Sequence, residues 1–134
     1  ITPNLDEAAA LARRPVRTVA EMKLAAEKIH LRTGVPCLVK GGHLEGQAVD
    51  VLFDGGAFSS FAHPRAPRDV HGTGCYLASA ILCYLAEGRP LKEACGLGIF
   101  RVGQAIRSAV PAGGGRWVFE FGRERGRVPL PPRT

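Results

Sequence analysis

A thiol follows two closely spaced glycines in the stretch HGTGC, residues 71–75, directly before an apolar run. Because that run predicts a helix, Gly72, Thr73 and Gly74 would lie at its amino end, where unpaired N–H groups and the helix dipole attract anions. Glycines let the backbone approach a phosphate closely, and a helix start favours the thiolate form of a cysteine. Cys75 is therefore a candidate base or nucleophile beside a phosphate. The alternative is a tight loop with an incidental buried thiol.

A second candidate is Lys40, which precedes two glycines at the end of the apolar run over residues 35–39. We predict that this run is a strand buried in a mostly parallel sheet. Ligands bind at the carboxyl edge of open α/β sheets, and a lysine there suits phosphate oxygens. An ordinary surface lysine before a glycine turn is equally compatible with this pattern.

Asn4 and Glu7 have the spacing of a capping box, which stabilises a helix start without any ligand. On these residues alone we favour that interpretation. The alternative is that Glu7 holds Mg²⁺ through water near nucleotide phosphates. The sequence contains neither a P-loop nor a G-x-G-x-x-G motif after a strand, so an ATP site here would use another architecture.

Helical and strand patterns alternate along the chain, which predicts an α/β layered domain. Thr18 and Glu21 form a second capping box ahead of the second helix. Asp54-Gly55-Gly56 predicts a hairpin turn between two strands. Helices are predicted over about residues 4–14, 18–34, 74–87 and 90–110, and strands over 35–39, 49–53, 57–61 and 117–121.

The composition is that of a globular protein, with 134 residues of which 46% are hydrophobic and 22% charged. No apolar run approaches the roughly 20 residues that cross a bilayer, so we expect no membrane association. The opening residues ITPN have no features of a signal peptide. Because the chain begins with Ile1 rather than Met, we interpret it as cut from a longer chain, with Ile1 ending a buried strand.

The formal net charge of +6 suits a phosphate-bearing ligand. Much of the excess lies in the tail, which we interpret as a solvated, frayed end. Binding to nucleic acid is not expected, since no recognition motif or interleaved aromatic residues accompany the charges. The basic residues concerned are Arg116, Arg123, Arg125, Arg127 and Arg133.

The four cysteines show neither a C-x-x-C pair nor the spacing of a zinc site. Cys37, Cys83 and Cys95 lie within apolar runs and are expected to be small core residues. Unpaired core cysteines indicate a reducing, cytoplasmic setting. Cys75 differs from them because of its glycine neighbours.

Four motifs together resemble one family: TPNLDEA, LVKGGH, the DVLFDG hairpin, and HGTGC before an alanine-rich helix. From Thr2 to about Ala109, their order and spacing are similar to the carboxyl-terminal half of the hydroxymethylpyrimidine/phosphomethylpyrimidine kinases of thiamine biosynthesis, in the ribokinase-like superfamily. Most ribokinase-like enzymes have aspartate after G-T-G. The cysteine at position 75 therefore points to the pyrimidine kinases or to related pyridoxal-type kinases.

The resemblance implies a ribokinase-like layered αβα fold. Residues 1–134 would be the carboxyl-terminal part of a single kinase domain, with about 111–134 as a divergent tail. The implied activity is phosphorylation of 4-amino-5-hydroxymethyl-2-methylpyrimidine and then of its monophosphate, with ATP and Mg²⁺ as cofactors. A full-length protein would be a homodimer. These residues alone would be inactive, since the other half would carry most of the pyrimidine pocket.

The resemblance also implies roles for individual residues. Cys75 would be the base that takes the hydroxymethyl proton, and Gly72, Thr73 and Gly74 would form the anion hole for the transferring phosphoryl group. Lys40 would contact the ATP phosphates. Asn4 and Glu7 would match an N-x-x-E motif near Mg²⁺, with Glu7 as the metal-associated residue.

Three alternatives stay open. A pyridoxal or pyridoxine kinase would keep the chemistry and change the ring that is phosphorylated. A non-catalytic domain would bind nucleotide or a partner chain without turnover. A redox role for Cys75 would require reactivity that ATP does not suppress, and no resolving cysteine is close in sequence.

Overall fold

The computed structural model describes residues 1–44 and 46–120. The predicted frayed tail lies outside the described residues from position 121 onward. In chain order the elements are α1 (Leu5–Ala12), α2 (Val19–Thr33), β1 (Cys37–Val39), β2 (Ala48–Phe53), β3 (Phe58–His63), α3 (Thr73–Ala86), α4 (Leu91–Arg107), β4 (Val110–Gly113) and β5 (Arg116–Val118).

Both predicted capping boxes are present. The Asn4 side chain accepts from the Glu7 N–H at 2.8 Å, and Glu7 Oε2 accepts from the Asn4 N–H at the same distance. Thr18 and Glu21 form the same reciprocal pair at the start of α2. These short polar side chains satisfy N–H groups that the first turn leaves without partners, which explains why the sequence located both helix starts.

The first three strands form an antiparallel sheet in the order β1-β2-β3. Leu38 pairs with Leu52, and Asp50 with Phe61. The prediction of a mostly parallel sheet is therefore wrong for these strands. A parallel partner of β1 is instead the segment 1–3, because the Leu38 N–H donates to the Ile1 carbonyl and the Lys40 N–H to the Pro3 carbonyl. Ile1 itself is exposed rather than buried.

Helices cover both faces of this sheet, as expected for an αβα arrangement. Val51 and Phe53 of β2 belong to the core shared with α1 and α2. Leu52, which points to the opposite face because side chains alternate along a strand, belongs to the core shared with α3 and α4. Gly98 lets α4 approach α3 closely, since a Cβ there would lie 2.7 Å from Ile81 Cγ1.

The last two strands form a hairpin that packs beside the HGTGC segment. The prediction of a helix to about residue 110 is wrong, because α4 ends at Arg107 and Val110 begins β4. The predicted strand over 117–121 is shorter and begins earlier, at Arg116–Val118. Trp117 accepts a hydrogen bond from the His71 N–H at 3.1 Å. Glycines 113–115 have positive φ angles and make the turn.

Two of the four cysteines are buried and two are exposed. Cys37 and Cys95 are buried, as predicted, and burial raises the pKa of each thiol to about 11. Cys83 is exposed, so its prediction as a core residue is wrong. Only one side of α3 is buried, through Leu77, Ile81 and Tyr84.

Among the described helices, none is both long and apolar enough to span a membrane.

Candidate functional site

The amino end of α3 is built for a close approach to its backbone. Gly72 occupies the N-cap position with φ 90° and ψ 8°, a left-handed conformation that favours glycine. In the described part of the chain, no side chain caps this helix and its first turn holds no acidic residue. Because the first-turn N–H groups have no intrahelical partners, they remain available to an anion.

Lys40 reaches this helix start from the end of β1. A Cβ atom placed on Gly74 would lie 2.9 Å from Lys40 Nζ. The next residue along the helix, Cys75, is exposed. The structure therefore brings together three of the predicted elements: the glycine loop, the lysine and the thiol. The thiol is therefore not buried, and its role as a base or nucleophile stays a prediction.

The backbone on either side of Lys40 is held by neighbouring segments. The Lys40 N–H donates to the Pro3 carbonyl at 2.8 Å. The Gly41 N–H donates to Asp50 Oδ1, also at 2.8 Å. A side chain is excluded at position 41, since a Cβ there would lie 1.9 Å from the carbonyl oxygen of Val49. The backbone at Lys40 and Gly41 is therefore held by the segment 1–3 through one amide and by β2 through the other.

Asp50 is a functional candidate that the sequence analysis missed. Asp50 is charged but only 4% exposed, because it lies on the β2 face that packs against α3 and α4. Asp50 Oδ2 lies 3.3 Å from Nε2 of His63, an ion-pair distance without good hydrogen-bond geometry. The one available signal was a carboxylate within the apolar strand DVLF, since a buried charge requires partners.

Contact with Asp50 raises the pKa of His63, and the partial burial of the ring opposes that rise. His63 Nδ1 lies 3.2 Å from the Pro64 carbonyl oxygen. The following segment adds Arg65, whose guanidinium donates to the carbonyl oxygens of Gly42, Leu44 and Gly46. Charged side chains from β2, β3 and the segment after β3 therefore hold the segment that follows Lys40.

Asn4 and Glu7 lie at the start of α1, one residue after the Pro3 carbonyl that binds the Lys40 amide. Both side chains are exposed and are engaged with each other's backbone in the cap. Within residues 1–44 and 46–120, Glu7 forms no ion pair with Lys40. No group of three or more His, Cys, Asp or Glu side chains there could hold a metal ion. The structure supports the capping role of these residues and places their helix end beside Lys40.

Aromatic residues of the final hairpin line the other side of the glycine loop. The Phe119 ring lies 4.9 Å from that of Tyr76, and 3.9 Å from where a Cβ on Gly72 would be. The Arg68 guanidinium stacks over the Trp117 ring at 4.0 Å. The segment that sequence analysis treated as a divergent tail therefore forms, in its described part, a wall of the site.

A cation, a set of open helix amides and an exposed thiol meet at one point. Such a combination can bind an anion with high charge density and accept a proton beside it. Phosphate esters and anhydrides are ligands of this kind.

Comparisons with known proteins agree with this chemistry. A family model for phosphomethylpyrimidine kinase matches residues 1–119. The chain is 44% identical over 117 residues to the thiamine biosynthesis bifunctional protein ThiED of Geobacter sulfurreducens, covering 86% of this chain and 24% of that protein. It is 42% identical over 115 residues to the hydroxymethylpyrimidine/phosphomethylpyrimidine kinase of Streptomyces coelicolor, covering 85% and 43%. The chain thus spans less than half the length of these relatives.

The structural comparison supports the predicted fold. An ADP complex of Bacillus subtilis pyridoxal kinase superposes with a TM-score of 0.81 at 33% identity, covering 90% of this chain and 46% of that one. This confirms a ribokinase-like fold, represented here by part of its sheet and helices. The family model covers both Lys40 and the segment over residues 72–75. The chain therefore belongs to the phosphomethylpyrimidine kinase family.

Proposed function

We propose that this chain supplies the ATP-binding and phosphoryl-transfer side of a hydroxymethylpyrimidine/phosphomethylpyrimidine kinase. The proposed reaction phosphorylates 4-amino-5-hydroxymethyl-2-methylpyrimidine and then its monophosphate. The observation that carries the proposal is the 2.9 Å approach of Lys40 Nζ to the Cβ position of Gly74, one residue before an exposed thiol.

Charge neutralisation is the first role of this site. Phosphoryl transfer depends mainly on positioning and on electrostatic stabilisation of the phosphoryl oxygens. The first-turn amides over Gly72, Thr73 and Gly74 would form the anion hole for the transferring group. The Lys40 ammonium, held beside Gly74, would contact the ATP phosphates and offset their charge.

Proton transfer is the second role, and we assign it to Cys75. The hydroxymethyl oxygen of the substrate forms a bond to the γ-phosphorus while the bond from that phosphorus to the bridging oxygen of ADP breaks. The Cys75 thiolate accepts the hydroxyl proton, so its side chain must be accessible, as it is. Cys37 and Cys95 cannot take this role because they are buried and their pKa values are raised to about 11.

Mg²⁺ would be held near the start of α1. Glu7 has an exposed carboxylate, of which Oε2 accepts from the Asn4 N–H. A carboxylate oxygen acting through water fits Mg²⁺, which keeps several waters and takes most of its remaining ligands from substrate phosphates. The ion would supply charge neutralisation on the nucleotide, and Asn4 would fix the carboxylate through the cap. The four unpaired thiols suit a reducing compartment, so we place the activity in the cytoplasm.

A pyridoxal kinase is the second candidate function. Its support is the 33% identity to the Bacillus subtilis pyridoxal kinase, with a TM-score of 0.81. The lysine, glycine loop and thiol would act in the same way on either ring. Turnover measured side by side with hydroxymethylpyrimidine and with pyridoxal separates the two, and a preference for pyridoxal would replace the leading proposal.

The test uses a chimera in which this chain replaces the segment that it matches in the Streptomyces coelicolor relative. We expect the chimera to phosphorylate hydroxymethylpyrimidine with ATP, and the 134-residue chain to bind MgATP without turnover. Lys40→Ala should weaken ATP use by about 1.5–3 kcal/mol, the range for a hydrogen bond to a charged group. Lys92→Ala is the matched control, because Lys92 is exposed at the start of α4, next to the far end of α3.

Two results would contradict the proposal. A folded chimera that binds MgATP but transfers no phosphoryl group would favour a non-catalytic nucleotide-binding domain. Equal kcat/KM for ATP in the Lys40 and Lys92 variants would remove Lys40 from the site.

A further inference from the structure

Asp50 is a buried carboxylate on an otherwise apolar face. It is 4% exposed and shares the inner side of β2 with Leu52, which packs against α3 and α4. Removing a charge from water is costly unless it is paired and hydrogen-bonded. An apolar side chain would not carry that cost, so the contacts of the carboxylate indicate its role.

The first contact of Asp50 is with the loop that carries Lys40. Its Oδ1 accepts from the Gly41 N–H at 2.8 Å, in a buried hydrogen bond. Gly41 also lies so close to the Val49 carbonyl that no side chain fits. Asp50 therefore secures the peptide that links Lys40 to Gly41, and this peptide sets the direction in which the lysine side chain leaves the sheet.

The second contact is with His63, which lies 3.3 Å from Asp50 Oδ2 through Nε2. The Nδ1 atom of the same ring lies 3.2 Å from the Pro64 carbonyl oxygen. Because a carbonyl can only accept, Nδ1 must carry a proton to bind it. A neutral ring in that tautomer would present a lone pair to the carboxylate. Only the imidazolium form keeps the Nδ1 hydrogen bond and presents a positively charged N–H, rather than a lone pair, to the carboxylate.

We propose that Asp50 is a positioning residue that holds Gly41, and through it Lys40, and that protonated His63 balances its charge, which makes nucleotide binding dependent on pH. The inference rests on the proposed function of Lys40. Below the midpoint of the His63 titration, the imidazolium balances the Asp50 charge and Asp50 holds the Gly41 amide. As the pH rises through that midpoint, Asp50 loses its counter-charge and the loop loses its fixed position.

Other ionisable groups surround this pair. Cys95 of α4 is close enough for the Asp50 charge to add to the rise in its pKa, which burial causes in the main. Arg65 binds carbonyl oxygens of the loop over 42–46. His43 is exposed and lies two residues from Gly41, so its ring could alter the Gly41 amide resonance independently of His63. All proteins in the test therefore carry His43→Gln.

The first measurement is an NMR pH titration of the 134-residue chain without nucleotide. We expect the Gly41 amide resonance to move with the same midpoint as the His63 ring, above the ordinary value for histidine. Asp50→Asn should lower the His63 midpoint. Asp54→Asn is the matched control, because Asp54 also accepts from backbone amides in the same β2–β3 hairpin, but at its exposed turn. It should leave the His63 midpoint unchanged.

His63→Gln serves as a second variant in case Asp50→Asn does not fold. Glutamine can still donate to Asp50 but does not titrate, so the Gly41 resonance should stop responding over the range in which His63 titrates. A Gly41 resonance that still titrates in His63→Gln, or that never follows His63 in the parent protein, overturns the inference. So does a His63 midpoint that Asp50→Asn leaves unchanged.

The second measurement is MgATP affinity as a function of pH. Asp50→Asn should raise the Kd about tenfold at pH values below the His63 midpoint, because a neutral amide oxygen accepts from the Gly41 N–H more weakly than a carboxylate does. His63→Gln should show a weaker pH dependence than the parent, and the ionisation of MgATP is common to both. If the parent binds MgATP but neither variant differs from it, the positioning role is wrong. If the parent binds no MgATP, the proposed function fails, and the NMR titration still decides the Asp50–His63 pairing.

Discussion

Gly74→Ala should separate nucleotide binding from stability, because the two effects have opposite signs. The new methyl group would lie 2.9 Å from Lys40 Nζ, closer than nonbonded atoms pack, so the flexible end of the lysine must move away. A displaced ammonium forfeits a charge-assisted hydrogen bond of about 1.5–3 kcal/mol to the phosphates, which corresponds to a rise in Kd of about 10- to 100-fold. Alanine should also stabilise α3 by about 0.5–1 kcal/mol, since glycine is a poor residue within a helix.

The assay is calorimetric titration with MgATP, paired with denaturant unfolding. Gly103→Ala is the matched control, because Gly103 lies within α4 and a Cβ there meets nothing within 4 Å. It should give a similar gain in stability without changing affinity. The effect of Gly74→Ala should also disappear in a Lys40→Ala background, since the two changes act on one contact. Parent-like affinity in Gly74→Ala, or full additivity with Lys40→Ala, would refute the reasoning.

Three further predictions address the loop, the thiol and the buried ion pair. Gly41→Ala should lower the unfolding free energy by about 3 kcal/mol in denaturant unfolding, because its Cβ would meet backbone, the Val49 carbonyl, at 1.9 Å; unchanged stability would show that this contact is not tight. Cys75→Ala in the chimera should abolish most turnover while leaving the melting temperature near that of the parent, since the loop geometry depends on glycines; near-normal turnover would exclude Cys75 as the base. Because the folded-state pKa of His63 is raised, its contribution to stability is complete below the ordinary histidine pKa and is lost as the pH rises through the folded value; unfolding of His63→Gln should lack this loss, and an identical pH profile would argue against the pairing.

Local chemistry explains which parts of the fold were predictable. The capping boxes at Asn4 and Thr18 act within one helical turn, so sequence spacing is sufficient to recognise them. The turn at residues 54–56 likewise located the hairpin of β2 and β3. Strand direction was not predictable, because a short apolar run reads the same in a parallel or an antiparallel pair. The antiparallel pairing of β1 with β2 depends on contacts beyond the run itself.

At the site too, the features that the sequence did not predict depend on contacts between segments that are distant along the chain. Sequence spacing identified Lys40 and Cys75 separately, but their proximity arises only when β1 and α3 pack into one domain. Asp50 was missed because its partner is a backbone N–H nine positions away. Cys83 was misassigned because α3 is apolar on both sides, with Leu82 66% exposed, so hydrophobicity alone could not tell the buried face from the open one.

The central claim, that Cys75 lies beside phosphates held by Lys40 and the start of α3, is tested most directly by alkylation of the thiols. Cys75 and Cys83 are both exposed on α3, whereas Cys37 and Cys95 are buried, so Cys83 is an internal control. We predict that MgATP slows modification of Cys75 but not of Cys83, and that Lys40→Ala removes this protection. Equal rates at Cys75 with and without MgATP, in a chain that calorimetry shows to be saturated with nucleotide, would contradict the account.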